Sequence, residues 1–312
     1  MFHCHWPVEE SEGPLDGIPL IHRFYLPKKA LDAACENMKV NGKMPMFRNK
    51  LEQAVDMLVT LSEHFSGTSI LAVCDSWFGN NGLFAPARKL IGTKFHILSR
   101  LRSNIILYAM PAIKAPGQLG RSRKYGDRMG TTTDVAAAMK EKANICSVFL
   151  YGKKREVLAA STVIMLKTLR CPVRVVFVYR RTQWIALFTT DLSLSITQMI
   201  EFYGARCKIE SGFKEIKRDI GAGNSQTRNA QAVMNHLNFC MMAVTVTWIY
   251  AIKLENAIDR RHMVRGRNSF AFSDVRHAIA KAALDDSFDR LCTIKSKPAQ
   301  NIPVAALLRM VA

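Results

Sequence analysis

A chain of 312 residues with 49% hydrophobic and 22% charged residues can bury a substantial core and reads as a globular protein of one or two structural units. Its formal net charge of +19, from 44 Lys and Arg against 25 Asp and Glu, points to a polyanionic partner, with nucleic acid the default. A membrane surface is the rival, but no basic amphipathic helix with a clean apolar face stands out, and the eight cysteines form no C-x-x-C pair of the kind zinc ribbons and fingers use.

The N-terminal "MFHCHWPVEESEG" lacks the basic start and apolar run of a signal peptide. His3, Cys4 and His5 stand too close together to make a metal site by themselves. Residues 18–27, "IPLIHRFYLP", predict a strand closed by Pro27. From Phe47 to Phe65, Leu51, Val55, Leu58 and Leu61 recur at helical spacing. "SILAVCD" (69–75) is a continuous apolar run suited to the middle of a parallel sheet, and Asp75 closes it. A second helix ends at Gly92, and "KFHILSRLRSN" (94–104) resumes as a strand. Helix, strand, helix, strand with a carboxylate at a strand's C-terminal end is the pattern of an α/β unit.

After Pro111 the pattern changes. A Gly- and Arg-rich stretch, "KAPGQLGRSRKYGDRMGTTT", predicts an exposed loop. "CSVFLYG", "VLAASTVIML", "VRVVFVYR" and "WIALFTTD" then predict an antiparallel β block, with "KKRE" and "RRTQ" as turns. Helices return from Ser193. The run "LNFCMMAVTVTWIYAI" (237–252) is 16 residues, short of the roughly 20 that span a bilayer, and predicts a buried core helix. One more amphipathic helix is expected over 273–284. The chain divides accordingly into residues 1–110, a β-rich insertion 111–192, helices 193–252 and a tail 253–312.

Two carboxylates carry the chemistry. Asp75 ends an apolar strand; as a bland reading it caps or turns the chain. Glu210 lies in "YGARCKIESGFKEIK" (203–217), where Arg206 and Lys214 four residues away on either side make a surface ion pair the bland reading. On a helix, Tyr203, Arg206, Glu210 and Lys217 fall within a sector of about 60°. A carboxylate that can bind a hard divalent cation would then stand beside cations that can hold DNA phosphates. Trp77 and Trp184 are candidates for base stacking, with core packing the alternative. Residues 94–128 hold Lys94, Arg100, Arg102, Lys114, Arg121, Arg123, Lys124 and Arg128 against Asp127 alone, a solvated loop or a DNA-backbone contact.

The spacing Y-x2-R-x3-E-x6-K resembles the signature of the YREK group of DDE insertion-sequence transposases, and "LAVCDSWFGNNGLF" (71–84) resembles that group's strand bearing the second catalytic aspartate. The likeness covers roughly residues 18–250. It implies an α/β fold with an RNase H-like core, a mixed sheet flanked by helices, interrupted by an antiparallel β insertion and followed by a helical C-terminal part. It implies that Asp75 and Glu210 are catalytic and bind two Mg2+ ions. Tyr203, Arg206 and Lys217 would hold terminal phosphates, with Lys214, Arg100, Arg102, Arg121, Arg123 and Lys124 as further DNA contacts. Partners would be double-stranded DNA at transposon ends and target and a second copy of the chain, with no membrane, in the cytoplasm at the nucleoid. The family's first aspartate belongs on a strand well before Asp75. Asp16, Asp32 and Asp56 suit that position poorly, so the first strand is expected to be missing and the metal site incomplete. In a second mapping Asp75 is the first aspartate and Asp191 the second. A non-catalytic DNA-binding derivative and an RNase H-like nuclease without strand transfer remain the alternatives.

Overall fold

The computed structural model describes residues 2–4, 17–33, 38–113, 120–252 and 271–284. Strand β1 (Phe2–Cys4) pairs with β2 (Ile18–Ile21) in a small antiparallel sheet, and the short helix α1 (Lys28–Asp32) follows. The strand expected over 18–27 is thus only its first four residues, the stretch that β1 pairs with. Helix α2 (Lys50–His64) starts at a capping box in which Asn49 and Glu52 bond each other's backbone N–H. It is followed by β3 (Ile70–Val73), α3 (Asn81–Ile91), β4 (Phe95–Leu101), β5 (Ile106–Tyr108) and β6 (Arg128–Thr131). Helix α4 (Thr132–Met139) opens on a second capping box, Thr131 with Asp134. Then come β7 (Asn144–Leu150), β8 (Lys153–Leu166), β9 (Cys171–Arg180) and β10 (Gln183–Thr189). Helices α5 (Ile196–Ala205), α6 (Lys208–Lys214), α7 (Ala230–Ile252) and α8 (Phe272–Leu284) complete the described chain.

The main sheet runs β3-β4-β10-β9-β8-β5-β6, with β7 on β8. β3 and β4 are parallel; the other pairs are antiparallel, so the sheet is mixed. β10 returns to pair with β4, so the β-rich segment and the α/β unit share one ladder. Only residues 102–105 separate β4 from β5, which lies four places along the order.

Helices cover both faces. On one, Val55 and Leu58 of α2, Leu83 and Ala87 of α3, and Val135 and Ala136 of α4 pack over Phe95, Phe177 and Phe188. Burying each phenylalanine fully is worth about 1.5–3 kcal/mol. On the other face, Met199 and Ile200 of α5 pack against Leu98, Val176 and Leu187. This is the RNase H-like arrangement of a mixed sheet between helical layers.

α7 corrects an expectation. It is not buried in the core: among its residues only Cys240, Val244 and Thr247 are buried, while Phe239, Met242, Val246 and Ile249 are exposed. Its buried side packs with Ile216 and Phe272 in a third, smaller cluster. By length and composition it is the one helix among the described residues that could cross a membrane, because its 23 residues carry no Lys, Arg, Asp or Glu.

Candidate active site

The strand β3 delivers Asp75 to the end of the sheet. The ladder runs one step past Val73, with Cys74 N–H donating to Leu98 O at 3.0 Å. The chain then turns on Asp75 itself. Its Oδ1 accepts from the backbone N–H groups of Trp77 (2.9 Å) and Phe78 (3.0 Å), while its backbone carbonyl accepts from Gly79 N–H (3.0 Å). That carbonyl also accepts from Ser99 Oγ at 2.7 Å, and Ser99 is fully buried. Turning and capping therefore occupy one carboxylate oxygen and leave Asp75 exposed on the surface. Gly79 makes the turn possible, because a Cβ there would lie 2.3 Å from Ser99 Oγ and 2.7 Å from its Cβ. Beside Asp75, burial pushes the Cys74 thiol up to about 12, so this cysteine stays protonated and unreactive.

Helix α5 brings the second part. Ser195 and Gln198 form its capping box, and Gly204 lies so close to β7 that a Cβ would sit 2.4 Å from Leu150 Cδ2. Glu201 Oε1 accepts the edge N–H of Phe149 at 2.7 Å. These contacts fix Tyr203 and Arg206, whose guanidinium lies 5.8 Å from the Tyr203 ring centroid. Burial raises the Tyr203 phenol above its ordinary value; Arg206 and Arg100 oppose the shift, and Asp75 adds to it. Asp75, Arg100, Tyr203 and Arg206 thus share one electrostatic neighbourhood. Arg102 is exposed in the turn after β4.

The single helical stripe expected for Tyr203, Arg206, Glu210 and Lys217 is broken in three. Arg206 caps α5 at its C-terminus, Glu210 sits in the first turn of α6, and Lys217 falls in a π-helical turn, Glu215–Asp219. The backbone stays right-handed throughout, but the hydrogen bonding changes from one segment to the next. Glu210 is exposed and acts electrostatically on Cys207. Lys214 is exposed one turn on, and Lys217 Nζ stands 5.8 Å from the Phe213 ring centroid.

The π turn is anchored by Glu215, whose Oε2 accepts from the Trp248 indole N–H at 2.9 Å. Burial raises the Glu215 carboxyl above its ordinary value; the Trp248 hydrogen bond and nearby lysines offset part of the shift. Below the unfolded value of about 4.3 both states hold the proton. As pH rises through the folded value, the native state must ionise a half-buried group and loses stability. Glu215→Gln keeps an acceptor for Trp248 and is expected to raise the urea midpoint at neutral pH while leaving it unchanged in acid. A lowered midpoint at neutral pH would contradict this.

The remaining residues fall elsewhere. Asp191 Oδ1 accepts from both the N–H and the Oγ of Ser193, as a turn former does. Burial opposes its ionisation, but the Ser193 bonds and His96 outweigh it, so its carboxyl is held below the usual value. Trp184 is half-buried against Phe177, whereas Trp77 is exposed beside Phe78. Arg121, Arg123, Lys124 and Arg128 are exposed ahead of or on β6, at the opposite end of the strand order from β3. The Arg123–Asp127 pair there, at 3.4 Å and both exposed, contributes little. Asp56 is ion-paired to Arg48, and Asp32 is exposed on α1. His5, Asp16, Lys114 and most of the tail from 253 lie outside the described residues.

The sequence reading missed the Gly79–Ser99 contact beneath Asp75 and the run Lys153–Arg155, taken as a turn. A glycine four residues after the strand-end aspartate was the available signal for the first. A Tyr-Gly pair followed by three cations was the signal for the second.

Mg2+ asks for hard oxygen donors. Asp75 and Glu210, both exposed carboxylates, are right in kind. Among the described residues no three His, Cys, Asp or Glu side chains group to hold a metal. β3 pairs with β4 alone among the described residues, which leaves its other edge free beside Asp75.

Compared with known families, residues 45–246 match the model of a transposase DDE domain. No curated protein matches the chain.

Proposed function

The chain belongs to the transposase DDE domain family, and on that premise we propose that it is the transposase of an insertion sequence of the Y-x2-R-x3-E-x6-K group, acting on duplex DNA at transposon ends and target. The observation that carries the reading is that strand register sets Asp75 level with Arg100, while Tyr203 packs on the Leu98 cluster beside Val73 with Arg206 5.8 Å from its ring, so residues far apart in sequence gather at one end of the sheet.

Divalent metal, Mg2+ in the cell, supplies charge neutralisation and an activated nucleophile at the scissile phosphodiester. Asp75 and Glu210 would hold it. Arg206, stacked on Tyr203, presents a planar donor fork to a terminal phosphate. Arg100 adds charge at the same strand end, and Lys214 and Lys217 continue the cationic surface along the helix. Water attacks the phosphorus at the transposon end and the P–O3′ bond breaks, leaving a 3′-OH. That hydroxyl attacks a target phosphorus and displaces the target's own 3′ oxygen. A pair of chains on paired ends, working at the nucleoid in the cytoplasm, would run both ends together.

A second reading rests on the absence, among the described residues, of any group of three metal-ligating side chains: a transposase-derived protein that binds DNA without cutting it. One experiment separates the two. The protein is mixed with a duplex carrying the element's inverted repeat, with Mg2+ or with chelator. Metal-dependent nicking at the repeat and joined product support the transposase; nicking without joining supports a nuclease. Binding with no product in either Mg2+ or Mn2+ leaves the non-cutting reading standing.

A further inference from the structure

The β7–β8 hairpin carries a run of exposed cations near the end of the sheet that carries Asp75. Strand register fixes where it points. Val73 pairs with Leu98, which sets Asp75 level with Arg100; Arg100 pairs with Leu187, Leu187 with Val176, and Val176 with Ser161. Lys153 begins the same strand eight residues earlier, roughly 26 Å beyond that level along the strand direction. β9 joins β8 only from Leu158 onward, so the residues before it pair with β7 alone. The hairpin is therefore a two-stranded arm reaching past the end of the sheet where the carboxylate sits.

Its tip carries Lys153, Lys154 and Arg155, all exposed, with Glu156 the nearest acid in sequence. Arg180 and Arg181, in the neighbouring β9–β10 turn at the same end, are exposed too. The apex is unusual. Tyr151 (φ 54°) and Gly152 (φ 75°) form the two-residue turn. Two positive φ values suit Asn-Gly, and a bulky aromatic at the first position costs backbone energy. Tyr151 is 63% exposed, so core packing does not offset that cost; Arg155 lies over its ring at 5.9 Å. A strained, exposed ring set among cations is an outlier that folding does not use.

We infer that the β7–β8 hairpin is a DNA-gripping arm: Lys153, Lys154 and Arg155 hold backbone phosphates of the duplex beyond the reacting end, and the Tyr151 ring lies against sugar or base. The inference rests on the transposase reading, since it takes DNA as the partner. It adds a contact remote from the carboxylates, fixed to α5 through Glu201 and Gly204.

The test measures binding of a short duplex of arbitrary sequence across a salt series, by fluorescence anisotropy. Lys153→Ala/Lys154→Ala/Arg155→Ala is expected to lower affinity at least about tenfold and to flatten the log–log salt slope by about 3, one unit per lost phosphate contact. Tyr151→Asn relaxes the turn, so it is expected to melt no lower than the parent protein while binding more weakly; a structural role for the ring would move the two together. If the parent protein binds and the triple variant matches it in affinity and slope, the arm is refuted. Unchanged affinity in Tyr151→Asn refutes the role of the ring. Failure of the parent protein itself to bind duplex overturns the transposase reading instead.

Discussion

Asp75→Asn is expected to lower end cleavage by at least about a thousandfold while leaving the melting temperature where it was. The two effects separate because the turn formed by Asp75 and its proposed role in holding metal ask different things of the side chain. Oδ1 accepts from Trp77 and Phe78 N–H, and an asparagine carbonyl takes over those bonds with the same geometry. The negative charge and the second oxygen donor have no such replacement. Asp75→Ala should lose both tasks, with about 1 kcal/mol of stability going with the cap. Glu210→Gln should match Asp75→Asn in cleavage and, like it, spare DNA binding. The checks are a nicking assay, anisotropy and a thermal melt on the same preparations. Near-parent cleavage by Asp75→Asn removes this carboxylate from the chemistry.

Gly79→Ala should be nearly as damaging, though residue 79 carries no functional group. Its new Cβ must displace Ser99, which is fully buried on β4 and donates to the Asp75 carbonyl. Overpacking of this kind costs about 1–3 kcal/mol. The strand is held by its neighbours on both sides, so the turn should give way and carry Asp75 with it. A misplacement near 1 Å can cost about a hundredfold in rate. The partner change Ser99→Gly removes both clashing atoms, so Gly79→Ala/Ser99→Gly should recover stability over Gly79→Ala alone. A double variant no better than the single one would show that the contact is not what fixes the turn.

The parts legible in sequence were those with a local period. Leu51, Val55 and Leu58 gave away α2, the apolar run through Val73 gave away β3, and the apolar runs between turn signals gave away β7 to β10. The tyrosine, arginine, glutamate and lysine spacing pointed to the family before any coordinates. Other features were out of reach for physical reasons. The strands β5 and β6 are three and four residues long, too short for a period, and β6 lay in a stretch read as loop. The helix between them and β7 was marked by Thr131 and Asp134, a capping signal masked by the glycines and arginines before it. The break between Ala205 and Lys208 keeps helical dihedrals, so the spacing of Tyr203, Arg206 and Glu210 carries no mark of it. The exposed apolar side of α7 was misread because hydrophobicity alone does not say whether a neighbour covers it. The close approach of Gly79 to Ser99 is a long-range contact, and composition carries no trace of it.

The pairing of β4 with β10 has a consequence for the newborn chain. The partner of Leu101 is Ala186, so the edge of β4 waits for about 85 residues to emerge after it. At ribosomal speeds of about 5–20 residues per second, that is roughly 4–17 s with a row of unsatisfied amides and carbonyls facing outward. During that interval the first half of the protein resembles an unfinished sheet, open to association with other nascent chains. Chaperone demand should therefore peak before translation passes the final strand and fall once it docks.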